Sequence, residues 1–251
     1  MIIDLFYKKL AIPDDCYLGK RVYKKLFYEN AKLGVTDKKA FTNDIEEIEW
    51  HYTLKPETIN IHSFEDEEKE YHEIAIIQVV LKEATRYKRI AHIIQRAIPY
   101  PIFIVFIDGS SVALNVAMKR INRADSEKIT IDEFHDTNWI DLEKLTDYES
   151  DFLESCAIKD FSYNNFFEFY SDLVKRIIAL NCAELSGVYS VNSKYKDSDR
   201  TKVLNSIEKL QHMQAELRSE IKKESQFNRK VELNVQIKSI SKQIEHQKAC
   251  I

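Results

Sequence analysis

The apolar positions open in helical text: a first turn near Ile2–Leu10, a break at Pro13, then Arg21–Asn30 and Lys38–Ile48, with Thr36 placed to cap the last of these. The spacing then changes. Ile48, Trp50, Tyr52 and Leu54 alternate with polar residues, Thr58–Ile61 reads as extended past Pro56, and Ile74–Leu81 is a run of β-type apolar residues. These predict an antiparallel pair, separated by an acidic solvated loop at Glu65–Glu70. Ile90, Ile93, Ile94 and Ala97 recur at i, i+3, i+4, i+7, predicting an amphipathic helix over Ala84–Ile98 that stops at Pro99 and Pro101. Ile102–Ile107 is a continuous apolar strand, Asp108–Ser111 a turn, Val112–Lys119 the returning strand and Lys128–Phe134 a further one.

An aromatic-rich helical stretch follows from Tyr148 to Cys182, with Leu173, Ile177 and Leu180 at a spacing that favours core packing over base stacking. Gly187–Asp199 is polar and linker-like. In the tail, Val203, Ile207, Leu210, Leu217 and Ile221 are heptad-like; Lys222–Lys230 is polar apart from Phe227; apolarity resumes at Leu233, Ile237, Ile240, Ile244 and Ile251 in an offset register. With no Gly or Pro at the break, one continuous helix is the expectation, and a fold-back near Ser225–Asn228 into a helical hairpin is the alternative. The pattern predicts an α+β fold: a mixed or antiparallel sheet with helices on one face, then a long coiled-coil-like helix or hairpin. The expected division is a body over residues 1–186, a linker over 187–200 and a tail over 201–251.

Composition changes this picture little. Only four Gly and four Pro among 251 residues favour long elements with short loops. Charge adds more. The net charge is −4, yet from Thr201 onward ten Lys/Arg face six Glu and no Asp, so the tail is basic and the body carries the acidic excess. Such a tail suits docking on an acidic partner, on phosphates or on its own body. No stretch approaches the roughly 20 apolar residues of a membrane span, and the N-terminus has no continuous apolar signal region, so a cytoplasmic location without membrane contact is the expectation.

Candidate chemistry is sparse. Cys16, Cys156, Cys182 and Cys250 are scattered singly, without zinc-type spacing, and no glycine-rich phosphate or dinucleotide loop is present; no metal or cofactor is expected. Asp132, Glu133, His135 and Asp136 form the most carboxylate-rich histidine setting, but strand alternation separates neighbours, which favours a solvated turn. Glu73, Lys82 and Asp108 sit near predicted strand ends and are the candidate trio for a divergent metal-dependent nuclease. Lys20, Arg21, Lys24 and Lys25, with Lys222, Lys223, Arg229 and Lys230 in the tail, are candidates for nucleic-acid or partner binding.

Pieces spread over most of the chain carry a family resemblance: KRVYKKLFYENAKL at Lys20–Leu33, IEEIEWHYTLKPETINI at Ile45–Ile61, HEIAIIQVVLK at His72–Lys82, IPYPIFIVF at Ile98–Phe106 and ELRSEIKKESQFNRKVELN at Glu216–Asn234. Together they resemble the bacterial domain of unknown function 4391 family, departing from it at Pro101, where the resemblance implies a polar residue. The resemblance implies a setting beside DNA methyltransferases and helicase-type restriction subunits in defence islands. It brings no established catalytic residues. The expectation is an accessory or adaptor subunit with a protein partner of helicase or methyltransferase type, or a homo-oligomer, and with DNA contacted directly or through the complex.

Overall fold

The computed structural model describes residues 2–30, 33–122, 125–249 and 251. Its elements in chain order are α1 (Ile2–Leu10), β1 (Tyr17–Arg21), α2 (Lys25–Asn30), α3 (Val35–Asn43), β2 (Ile45–Leu54), α4 (Pro56–Ile59), β3 (Phe64–Glu65), β4 (Glu70–Tyr71), β5 (Ile74–Leu81), α5 (Tyr87–Ala97), β6 (Ile102–Asp108), β7 (Ser111–Asn122), β8 (Asp125–Asp136), β9 (Ile140–Asp141), α6 (Asp147–Ser155), α7 (Phe166–Ser186), α8 (Asp197–Lys223) and α9 (Phe227–Lys248). The fold is mixed α+β with long C-terminal helices. The chain divides into two compact units that meet at Ile177/Ile178, within α7 and ahead of the polar segment at Gly187–Asp199.

Among the described residues of the first unit, the main sheet runs β1-β2-β5-β6-β7-β8 with β9 beside β7. Every pair is antiparallel except β5 and β6, which α5 connects as a crossover. The two parallel strands are central and almost wholly buried, which is why they read as unbroken apolar runs. Strand alternation sends Ala75, Ile77, Val79, Ile104 and Phe106 to one face, against Phe41 of α3 and Ile90 and Ile94 of α5. Ile74, Ile76 and Phe103 point the other way and line a small apolar cavity with Leu10 of α1 and with Phe169 and Leu173 of α7. Helices therefore cover both faces, not one; the sequence pattern shows that a strand is buried but not how many layers bury it.

Three local expectations are also corrected. Residues 21–30 are not one helix: β1 ends at Arg21 and α2 begins only at Lys25. Every residue of β1 is exposed, so no alternation marks it as a strand. It bulges where Gly19 takes φ +58°, and a Cβ there would lie 2.5 Å from the Tyr17 hydroxyl, so glycine allows the Tyr17 ring to fold back over the backbone. Thr58 and Ile59 are helical instead of extended: Pro56 occupies the first position of α4, the Thr58 hydroxyl accepts the Lys55 amide at 2.9 Å, and Asn60 ends the turn at φ 54°. Glu65–Glu70 is not a plain loop, because β3 and β4 pair across a turn in which the Asp66 carboxylate accepts the amides of Glu68 and Lys69, both at 2.7 Å.

In the second unit the tail is a hairpin, not one rod. The α8 helix ends at Lys223, and the Glu224 carboxylate accepts the amides of Ser225 and Gln226 at 2.7 and 2.8 Å, satisfying donors at the start of α9 without any Gly or Pro. The two stripes then face each other: Ile207 packs with Ile240 and Ile244, bordered by Val203, Leu210 and Leu217. Gln214 donates to Ser241 at 2.7 Å and Gln247 to Ser206 at 2.9 Å, pairings that fix the helices as antiparallel. The offset between the stripes is what a reversal of direction demands.

Candidate functional site

Cations gather at one corner of the first unit. Asp44, fully buried, ends α3; its carboxylate takes two hydrogen bonds of 2.6 Å from the Arg86 guanidinium, and its carbonyl accepts the amides of Lys82 at 2.6 Å and Glu83 at 3.3 Å. The neighbouring Ile45 carbonyl accepts Lys24 Nζ. Lys24, just ahead of α2, and the chain leaving β5 thus meet at Asp44–Ile45, and a surface groove beside them is lined by Arg21, Tyr23, Lys24 and Lys25 together with Glu46 and Glu47. Burial, then the nearby charges of Lys82 and Arg21, lower the pKa of Lys24; Glu46 offsets this only partly. Arg21 lies 3.7 Å from Glu47. Lys20 is exposed on β1 beside this group.

The nuclease trio does not assemble. Glu73 precedes β5 and Lys82 follows it, so the length of an eight-residue strand, roughly 25–30 Å, lies between them. Glu73 stands 3.7 Å from Lys55. Asp108 ends β6 near the Lys82 end of β5, where it opens the turn to Ser111. Lys82 belongs with Lys24 and Arg21.

His135 lies in no solvated turn. It sits on β8, buried, and burial pushes its imidazole down to about 4. Glu133 approaches it to 3.5 Å, while Asp132 pairs with Arg120 at 2.5 Å. Asp136 instead meets His92 of α5 at 3.1 Å, accepts from Asn115 Nδ2 at 2.9 Å, and Asn115 Oδ1 in turn accepts from the buried Gln95 at 2.7 Å. His92 also stacks on Phe134, with ring centroids 3.9 Å apart. These contacts fix the orientation of the imidazole ring. The sequence does not reveal the network, because its members come from α5, β7 and β8; the nearest hint is two polar residues, His92 and Gln95, three apart on one helix. Among the described residues no group of three or more His, Cys, Asp or Glu could hold a metal ion. Cys16, Cys156 and Cys182 are buried free thiols, and Cys250 lies outside the described residues.

The tail cations converge on the hairpin turn. Lys222 and Lys223 close α8, and Arg229 and Lys230 open α9. Arg229 clasps the turn, 3.5 Å from Glu220 across it and 2.9 Å from Glu232. Beside these cations Phe227 is 77% exposed, Val231 45% and Val235 64%, and their spacing of four places them on one outward stripe of α9. No helix among the described residues is long and apolar enough to cross a membrane. A family model described as "Domain of unknown function (DUF4391)" matches residues 10–244. No curated protein and no solved structure matches the chain.

Proposed function

The chain belongs to the DUF4391 family, and from that premise we propose that it is an accessory or adaptor subunit of a bacterial DNA restriction-modification-like or anti-phage defence complex. In this reading the α8–α9 hairpin docks a helicase- or methyltransferase-type protein. The observation that carries it is the stripe of Phe227, Val231 and Val235, left in solvent beside Lys222, Lys223 and Lys230. Contiguous exposed apolar surface rimmed by charge is the usual mark of a protein-binding face. An aromatic anchor within it supplies the energetic centre that such contacts need. The neighbouring lysines select a partner with an acidic rim and speed its approach. The defence setting comes from the family resemblance of the Trp50–Asn60 and Gln226–Asn234 blocks.

Co-expression with the helicase- and methyltransferase-type proteins encoded beside it, followed by size-exclusion chromatography, tests the reading. The wild-type chain is expected to co-elute with one of them, and the Phe227→Asp, Val231→Asp double variant to lose at least about tenfold in affinity, since a central apolar anchor contributes ~2 kcal/mol or more. Absence of any complex, with or without DNA, overturns the proposal, as does undiminished co-elution of the double variant.

A further inference from the structure

A groove of about 370 Å³ runs along one side of the α8–α9 seam. Met213, Leu217 and Ile240 floor it, with Glu216 and Glu220 on the α8 bank and Gln236 and Ser239 on the α9 bank. Met213 is 51% exposed, so an apolar side chain stands in solvent over the groove. This side is distinct from the Phe227 stripe. Val231 is nine residues from Ile240, about 180° around α9 at 3.6 residues per turn, so the stripe lies on the back of that helix.

Charges on the α8 bank run in order. Lys209 lies one turn before Met213, and Glu216 and Glu220 lie one and two turns after it, all exposed and on one side of the helix. Their pairs within the hairpin are surface ones of small strength: Glu216 stands 3.4 Å from His212 and Glu220 3.5 Å from Arg229. Positive charge at one end of a stripe and negative at the other is self-complementary about a two-fold axis. With that axis at Met213, a second α8 runs the opposite way. Its Glu216 and Glu220 then fall on either side of Lys209, offset along the helix by about 1.5 and 4.5 Å at 1.5 Å per residue. Gln236 and Ser239 bring no charge against this register.

The size also fits. α8 has 27 residues and α9 has 22. At 1.5 Å per residue and ~10 Å of width per helix, one side of the hairpin offers roughly 700 Å², close to the ~800 Å² per partner of a stable complex.

We propose that the chain forms a two-fold homodimer in which the groove sides of two α8–α9 hairpins pack as an antiparallel four-helix bundle, with Met213 on the axis. Lys209 of each copy faces Glu216 and Glu220 of the other. The two Phe227 stripes stay outward, so the dimer presents two docking faces. Its formation does not depend on what those stripes bind.

Sedimentation velocity of the full chain tests this. The wild type is expected to be dimeric at about 50 µM, a concentration at which an interface of standard size is occupied. Met213→Arg should raise the dimer dissociation constant about tenfold or more, because it buries an unpaired charge at the axis. Lys209→Glu alone, and Glu216→Lys with Glu220→Lys in one chain, should each weaken the dimer about tenfold by setting like charges opposite one another. A mixture of these two chains should regain the wild-type dissociation constant, since every facing pair in the mixed dimer is again of opposite sign. All the altered side chains are exposed, and circular dichroism should show unchanged helix content and melting. A monomeric wild type, undiminished association of Met213→Arg, or failure of the mixture to recover overturns the proposal. So does loss of the dimer in the Phe227→Asp, Val231→Asp variant, which would place self-association on the stripe. Co-elution with a helicase- or methyltransferase-type protein is a separate readout, so failure of either proposal leaves the other standing.

Discussion

Lys119 lies on β7 beside a bulge, and its ammonium donates to the carbonyls of Ile98 and Tyr100, both at 2.8 Å, just beyond the end of α5. Those carbonyls have run out of helical partners, and a buried cation is well placed to take them. Burial nevertheless pulls this lysine from 10.5 down to about 7. The folded pKa lies below the unfolded one, so between about pH 7 and 10.5 the unfolded chain holds its proton here and the folded one does not, and this lysine's contribution to stability rises with pH. Between pH 7 and 8 the unfolding free energy from urea titrations should climb, by at most about 1.4 kcal/mol per pH unit, and Lys119→Met should abolish the climb. Above about pH 9 the trend should reverse, because burial pushes the Cys156 thiol and the Tyr71 hydroxyl each up to about 12 and both keep their protons only in the folded chain. Nothing in the string around Lys119 marks it as buried. Its role follows from a register shift between Met118 and Lys119 that only the pairing with β8 reveals.

For whole elements, legibility followed burial. β5, β6 and α5 could be read from the sequence because their apolar residues recur at the period of the element that buries them. β1 could not, since none of its residues is buried, and α4 could not, since a single turn has no period to show. The hairpin was half legible. Both of its stripes are in the sequence, but the turn is made by the Glu224 side chain, which carries none of the usual breaker signals. The candidate cations were legible as a charge run at Lys20–Lys25, while the addition of Lys82 depended on β5 ending beside the start of β2. Within the hairpin, apolar packing should outweigh the ion pairs. Ile240→Ala, at a buried position of the α8–α9 seam, should cost about 2–5 kcal/mol. Arg229→Ala removes only exposed pairs to Glu220 and Glu232 and should cost much less than the Ile240 truncation. Chemical denaturation of the two variants, followed by circular dichroism, checks the ranking.

Across the whole molecule, the segment between α7 and α8 is the exposed joint of the chain: Gly187 to Lys196 lies outside any helix or strand and is mostly exposed. Proteases cut where backbone is accessible and unpaired. Brief trypsin digestion should therefore nick first at Lys194 or Lys196, with mass spectrometry recovering a fragment that begins at Tyr195 or Asp197 and spans α8 and α9. First cleavage within the α8–α9 turn would contradict this. At one edge of the sheet, β1 has a different consequence. Among the described residues it is the outermost strand, and its outer edge would otherwise be an open row of backbone donors and acceptors on which a second molecule's strand could add. The strand is only five residues long, bulged at Gly19, folded over by Tyr17 and charged at Lys20 and Arg21. The same residues that make β1 hard to recognise as a strand make its edge a poor template for a second molecule's strand.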